Sequence, residues 1–298
     1  MTETGDCELR SLKTNLKTLS LCSNPKTCHV SDMLGLVFLG ESVKVQDKMT
    51  KFSFVVTSRR QFIVRVVKFG GSSLANGSQF AKVVAIMKAN PARQVIVTSA
   101  PGKRHPGDTK VTDLLIQYAQ AVIRHEAVAA IVAEIVARYQ AIADDFELEA
   151  SIMAAIEEEL DQLPKLTFKN NDYLMAGFKA RGEKLNAFLM TAVLNHEGIE
   201  ATYGEPKSLG IVVTDHPNDA EVSRETYRNL ATFRRPIGGL VVPGFYGYTS
   251  NDDIATFSRG GSDITGAILA NGFHADLYEN FTDVDGVAAA DPRVVANP

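Results

Sequence analysis

The sequence predicts an α/β fold, a layered domain with a largely parallel central sheet. Three observations carry this. Short apolar, β-branched runs alternate with longer segments of helical period from residue 62 onward, the pattern in which helices cross between strands that run the same way. Polar clusters, most of them glycine-bearing, follow the strand-like runs 62–67, 94–99, 240–245 and 276–281, and another precedes the helix that starts at 262. In parallel sheets ligands gather beyond the carboxyl ends of the strands, so five such clusters predict one large site at one sheet edge. The balance is that of a globular chain: 298 residues, 45% hydrophobic, net charge -4, enough length for a large core and one or two domains.

That balance also excludes. Mild acidity argues against nucleic acid as a partner. No apolar run is long enough to cross a bilayer. Residues 1–10 lack a basic start and an apolar stretch, so a secretory signal is not expected. All 3 cysteines (Cys7, Cys22, Cys28) precede residue 29, so no disulfide framework holds the rest, and a cytoplasmic location is expected. Cys22, Cys28 and His29 lack the spacing of a zinc site, and no metal ligands are assigned.

Residues 1–60 are irregular, rich in Ser, Thr and Lys, and read as an N-terminal appendage, poorly ordered or loosely docked. The α/β unit is expected over 61–298. Its first strand is 62–67, followed by Lys68, a glycine turn and a helix carrying Phe80, Val83, Val84 and Met87. The second strand is 94–99. Residues 113–146 are alanine-rich and helical with a break near His125, and 148–163 is an amphipathic helix ended by Pro164. A long helix spans 172–196 and closes at Gly198. Short strands are expected at 201–203 and 211–213, a helix at 221–233, strands at 240–245 and 276–281, and a helix from 262 to about 270.

The chemistry concentrates in two glycine loops. Lys68-Phe69-Gly70-Gly71-Ser72-Ser73 is strand, glycine turn and helix start, the geometry in which backbone N–H groups meet an anion. An ordinary βα turn that happens to hold a lysine is the plainer reading. Ser258-Arg259-Gly260-Gly261-Ser262-Asp263 is a second such loop. Ser262 suits the N-cap and Asp263 the first helical turn, which simple capping would explain. Arg259 is not explained by capping, and its guanidinium can clamp a carboxylate or phosphate. Two cationic loops imply a polyphosphate and a second anionic substrate. Asp283 and Asp285 are either turn residues or contacts to a nucleotide ribose and its Mg²⁺. Gly182 in mid-helix implies close packing or ligand approach. The adjacent Glu183 either pairs with a substrate ammonium or lies on a solvated face. No GxxxxGK[ST] and no HRD or DFG set occurs, so neither a P-loop enzyme nor a protein kinase is indicated.

In order along the chain, the first loop, Val97-Thr98-Ser99-Ala100, Val111-Thr112-Asp113-Leu114-Leu115, Gly182-Glu183, Pro243-Gly244-Phe245, the second loop, and Thr282-Asp283-Val284-Asp285-Gly286 with Asp291-Pro292-Arg293 resemble the aspartokinases of the amino acid kinase family. The resemblance covers about 63–298. It implies a three-layer αβα sandwich of the carbamate-kinase-like type. It also implies transfer of phosphate from ATP, carried with Mg²⁺, to the side-chain carboxylate of L-aspartate, the first step toward lysine, threonine and methionine. Sister kinases acting on acetylglutamate, glutamate or uridylate share the fold; a homodimer is compatible with it.

By the same resemblance Lys68 steadies the transferring phosphate, and Gly70, Gly71 and Ser72 contact the phosphates. Ser99, Thr112, Glu183 and Arg259 hold aspartate. Ser262 and Asp263 lie at the reacting end, and Thr282, Asp283 and Arg293 meet the nucleotide. Two departures stand out: Ser258 where the family usually has glycine, and Ala288 where an aromatic commonly packs near adenine. The family continues past the last motif with a nucleotide loop and two ACT regulatory domains. A chain stopping at Pro298 is therefore expected to be truncated and to carry an incomplete nucleotide subsite. An inactive ligand-binding fragment is the competing expectation.

Overall fold

Five short runs pair into one parallel sheet in the order β3-β4-β2-β1-β7. They are β1 (Arg65–Phe69), β2 (Arg93–Thr98), β3 (Ala201–Tyr203), β4 (Gly239–Pro243) and β7 (Leu277–Phe281). The computed structural model describes residues 63–258 and 260–282. The 1–60 segment, Arg259, Asp283, Asp285 and Arg293 lie outside the described residues.

The helices between the strands are α1 (Gly77–Ala89), α2 (Val111–Ile123), α3 (Ala129–Asp145), α4 (Ala150–Gln162), α5 (Asn171–His196), the short α6 (Pro206–Leu209), α7 (Arg224–Thr232) and α8 (Gly261–Gly272). Alternation along the strands sorts their side chains to two faces. Val67, Phe69, Ile96 and Val241 face the core built with α1 to α5. Val66, Val95, Val97, Leu240 and Val242 face a second core closed by α7 and α8. Helix layer, sheet and helix layer make the three-layer αβα sandwich that the sequence predicts.

Three expectations need correction. The first strand begins at Arg65 and ends at Phe69, later than the expected 62–67: it pairs with β2 from Arg65↔Arg93 to Phe69↔Thr98 and with β7 from Arg65↔Leu277 to Phe69↔Phe281. Lys68 is therefore inside the strand, and the glycine turn begins at Gly70. Phe69 stacks on Phe281 with ring centroids 5.1 Å apart, which ties the edge strand to the centre. The run 211–213 is not a sheet strand. It makes only isolated bridges, Val212 to Tyr248 and Val213 to Val222, because Gly210 turns the chain through a left-handed residue. Ile211 and Val213 still fill the second core. Third, the strand expected at 240–245 ends at Pro243, and the chain then folds back as an antiparallel pair, β5 (Tyr246–Tyr248) and β6 (Ile254–Thr256), outside the main sheet.

Candidate active site

The carboxyl ends of the strands open into a cavity of about 410 Å³. Lys68 of β1, Ser99 after β2, Thr112 of α2, Glu183 of α5, and Ser262 and Asp263 of α8 all line it. The sequence assigned each of these six to the site, and the structure brings them together.

Lys68 is nearly buried, with 8% of its side chain exposed, and its Nζ lies 2.7 Å from Asp263 Oδ1. Asp263 is half exposed and its Oδ1 also accepts from Asn280 Nδ2 at 2.9 Å. The ammonium is thus held at the mouth of the glycine turn. A Cβ on Gly70 would lie 3.6 Å from it, 3.7 Å from the Phe281 carbonyl and 4.0 Å from Thr282 Oγ1. Gly70, Lys68 and Thr282 therefore share one corner. Ser72 sits exposed in the 3-10 turn Gly71–Leu74 that follows.

Behind this turn two backbones touch. Gly102 N–H donates to the Gly71 carbonyl at 2.8 Å, and a Cβ on Gly102 would fall 2.5 Å from the Gly71 carbonyl carbon. Only glycine permits that approach without displacement. The same loop is held from below by Arg138, buried on α3. Its guanidinium donates to the carbonyls of Thr109, at 2.6 Å, and Gly102. It also lies 3.3 Å from Asp108. Arg104 grips Asp108 through Nε and Nη2 at 2.9 and 2.8 Å, and this pairing holds the Asp108 carboxyl well below the ordinary range. Sequence reasoning missed this cluster, since nothing local in 129–145 marks one arginine as buried.

Glu183 resolves the alternative left by the sequence: it is buried, not on a solvated face. The neighbouring glycine explains why. A Cβ on Gly182 would lie 2.7 Å from Ala100 Cβ and 3.2 Å from Leu115 Cδ1, so its absence lets α5 sink against the end of β2. Glu183 Oε1 accepts from the Ala100 N–H at 3.0 Å, while Oε2 is buried without a partner among the described residues. Burial pushes the carboxyl up to about 8, against the opposing pull of the Ala100 amide, its own backbone amide and Lys179. Asn186, one turn further, donates to the Ser99 carbonyl at 2.6 Å and fixes that strand end.

The second glycine loop corrects one expectation. The N-cap of α8 is Gly260, left-handed at φ 79, not Ser262. Ser262 is buried in the first turn, and Asp263 occupies that turn as expected. Phe245 preceding this loop also has a positive φ, 78, a strained conformation for a bulky residue. It is pinned by donation from its N–H to Thr265 Oγ1 at 3.0 Å and by Phe257 N–H on its carbonyl at 2.8 Å. Sequence reasoning also missed Lys179 and Asn218, which line the same cavity. Lys179 stands four residues before Glu183, a helical spacing that could have been read.

A sequence model described as the amino acid kinase family matches residues 64–298. The chain is similar to aspartokinase 3 of Bacillus subtilis, 46% identical over 235 residues, which are 79% of this chain and 52% of that protein. In structure it is similar to the aspartate kinase of Clostridium acetobutylicum, at 34% identity and TM-score 0.64, covering 79% of this chain and 51% of that one. It is also similar to E. coli aspartokinase III solved with lysine and aspartate, at 25% identity and TM-score 0.64, covering 78% and 52%. The chain spans about half the length of the relatives it matches.

Proposed function

The chain belongs to the amino acid kinase family, and from that premise we propose that it transfers the terminal phosphoryl group of ATP to the side-chain carboxylate of L-aspartate. The observation that carries this is one cavity holding both Lys68 and a buried Glu183 whose Oε2 has no partner among the described residues. A cation for the transferring phosphoryl group and a carboxylate for an ammonium are what an amino acid acceptor needs. The similarity to aspartokinases supports aspartate over the sister acceptors.

The chemistry suits these residues. A side-chain carboxylate, of pKa about 4 in water, is ionised at neutral pH and needs no base to activate it. Its oxygen attacks the terminal phosphorus, the bond to the bridging oxygen breaks, and ADP leaves with the electron pair. Catalysis is then positioning and charge neutralisation. In this reading Lys68 faces the phosphoryl oxygens, and Gly70, Gly71 and Ser72 lie along the phosphates. Ser262 and Asp263 border the reacting end, with Asp263 orienting Lys68. Ser99, Thr112, Glu183 and Arg259 hold the acceptor, and Thr282, Asp283 and Arg293 meet the nucleotide. Mg²⁺ carried with ATP would offset phosphate charge; of the two described carboxylates lining the cavity, Glu183 and Asp263, Asp263 is the one beside Lys68. A cytoplasmic location accompanies the reading, supported by a stretch from 29 to 298 without cysteine.

Incubation of the purified chain with ATP, Mg²⁺ and aspartate is expected to release ADP in a coupled assay and to yield a hydroxamate on trapping with hydroxylamine. A chain that is folded by circular dichroism yet shows no aspartate-dependent ADP release overturns the proposal.

The contact between the two loops yields a further expectation. Gly102→Ala drives a methyl into the Gly71 backbone and displaces the phosphate turn. Overpacking of this kind costs about 1–3 kcal/mol, and a displacement near 1 Å costs roughly a hundredfold in rate. Denaturant titration should show the first and turnover the second; native turnover in this variant would mean that the contact does not position the loop.

A further inference from the structure

Lys179 is assigned no part in the reaction above, yet it lines the same cavity as Glu183. The two stand one helical turn apart on α5, so their side chains leave one face. The Lys179 ammonium lies 5.6 Å from the centroid of the Phe245 ring. Among the described residues no ion pair forms at Lys179, while Asp263 pairs with Lys68 and Glu183 Oε1 accepts from the Ala100 amide. Burial pushes the ammonium's pKa down, and Glu183 pulls it partly back. A half-buried cation resting on an aromatic face thus stands one turn from a buried carboxyl oxygen that has no hydrogen-bond partner among the described residues.

We propose that Lys179 is a specificity-determining residue of the acceptor site, pairing with the carboxylate on the acceptor's α-carbon while Glu183 pairs with the ammonium on that carbon. The inference rests on reading this cavity as the acceptor site. An α-amino acid carries both charges on one carbon, about the reach of an i, i+4 pair, which leaves its distal carboxylate for the end of the cavity where Lys68 lies. Succinate, lacking the ammonium, and an α-amide, lacking the carboxylate charge, each lose one of the two contacts.

The test measures binding by calorimetry of L-aspartate and of its 1-amide, in which that carboxylate is neutral, to the wild-type chain and to Lys179→Met. Methionine keeps the stem against Phe245. The wild type is expected to prefer aspartate to the amide by at least about tenfold, and Lys179→Met to shrink that preference about tenfold, with the change in KM rather than kcat. A role confined to packing would weaken both ligands alike and leave the ratio unchanged, and that result overturns the inference. If instead the wild type binds L-glutamate and not aspartate, the aspartate reading falls, and Lys179→Met tested on glutamate, which carries the same two charges on its α-carbon, decides the inference separately. An unchanged affinity for that acid overturns it.

Discussion

Replacement of Lys68 by methionine is expected to lower turnover by about two to three decades, the loss seen when one donor to a developing negative charge is removed. The geometry makes Lys68 hard to substitute. Its stem is enclosed in β1 between β2 and β7, and its ammonium emerges beside Gly70 and Thr282. A water molecule can fill the space but cannot carry the charge. The fold should tolerate the change. Asp263, the partner at 2.7 Å, is half exposed, keeps its bond from Asn280, and can hydrate, so the lost ion pair is worth little to stability after solvent screening. Asp263→Asn separates positioning from charge: the asparagine oxygen can still accept from Asn280 while the grip on Lys68 weakens, and an intermediate loss of turnover is expected. Steady-state kinetics on both variants, with thermal denaturation as control, reads the result. A Lys68→Met chain turning over within threefold of wild type would remove Lys68 from the chemistry.

The elements that depend on local pattern were legible. The β-branched runs at 66–67, 95–97 and 240–242 are buried on both faces in a parallel sheet, so they read as continuous apolar stretches. The helix break near His125 follows from local signals as well; α2 ends at Ile123, and His125 takes a positive φ. What failed depends on partners distant in sequence. The β5–β6 pair is short, rich in Gly, Tyr and Thr, and held by its contacts: Tyr203, Tyr246 and Tyr248 all donate to the Glu205 carboxylate. The triplet 211–213 is as β-branched as a strand but finds no neighbour in the main sheet.

In the site, the same division holds. Lys68, Ser99 and Ser262 were legible because a strand end or glycine loop announces them. Glu183 was only half legible: a glutamate in a helix is ordinarily exposed, and the decisive fact, that Gly182 lets α5 settle on Ala100, needs the packed structure. Lys179 becomes meaningful only beside Phe245, a residue 66 positions later, and Arg138 only beneath the loop at 102–109.

Glu183→Gln is the second large effect. Removing one member of a buried charge pair costs about 3–5 kcal/mol, but an amide oxygen can still accept from the acceptor's ammonium. We therefore expect aspartate KM to rise by about one to two decades with a smaller change in kcat. The pH dependence is more diagnostic. In the free chain the carboxyl is raised from 4.5 to about 8, first by burial, so the folded chain holds a proton that the unfolded chain loses. The stability this contributes is fully present below pH 4.5 and is lost as pH rises through about 8. Wild-type melting temperature should therefore fall across that window relative to Glu183→Gln. Aspartate binding runs the other way, because the ammonium requires the ionised carboxylate. Affinity should weaken about tenfold per pH unit below 8, with close to one proton released per aspartate bound at pH 7. The groups facing Glu183 are the Ala100 amide, Lys179 and Tyr139. Tyr139 is itself pushed well above its usual range by burial and donates to the Gly182 carbonyl at 3.0 Å, so it stays neutral through the window. Calorimetry in buffers of different ionisation enthalpy counts the proton directly. A flat aspartate affinity from pH 6 to 8 in the wild type, or a slope that survives in Glu183→Gln, would mean that another group receives the ammonium.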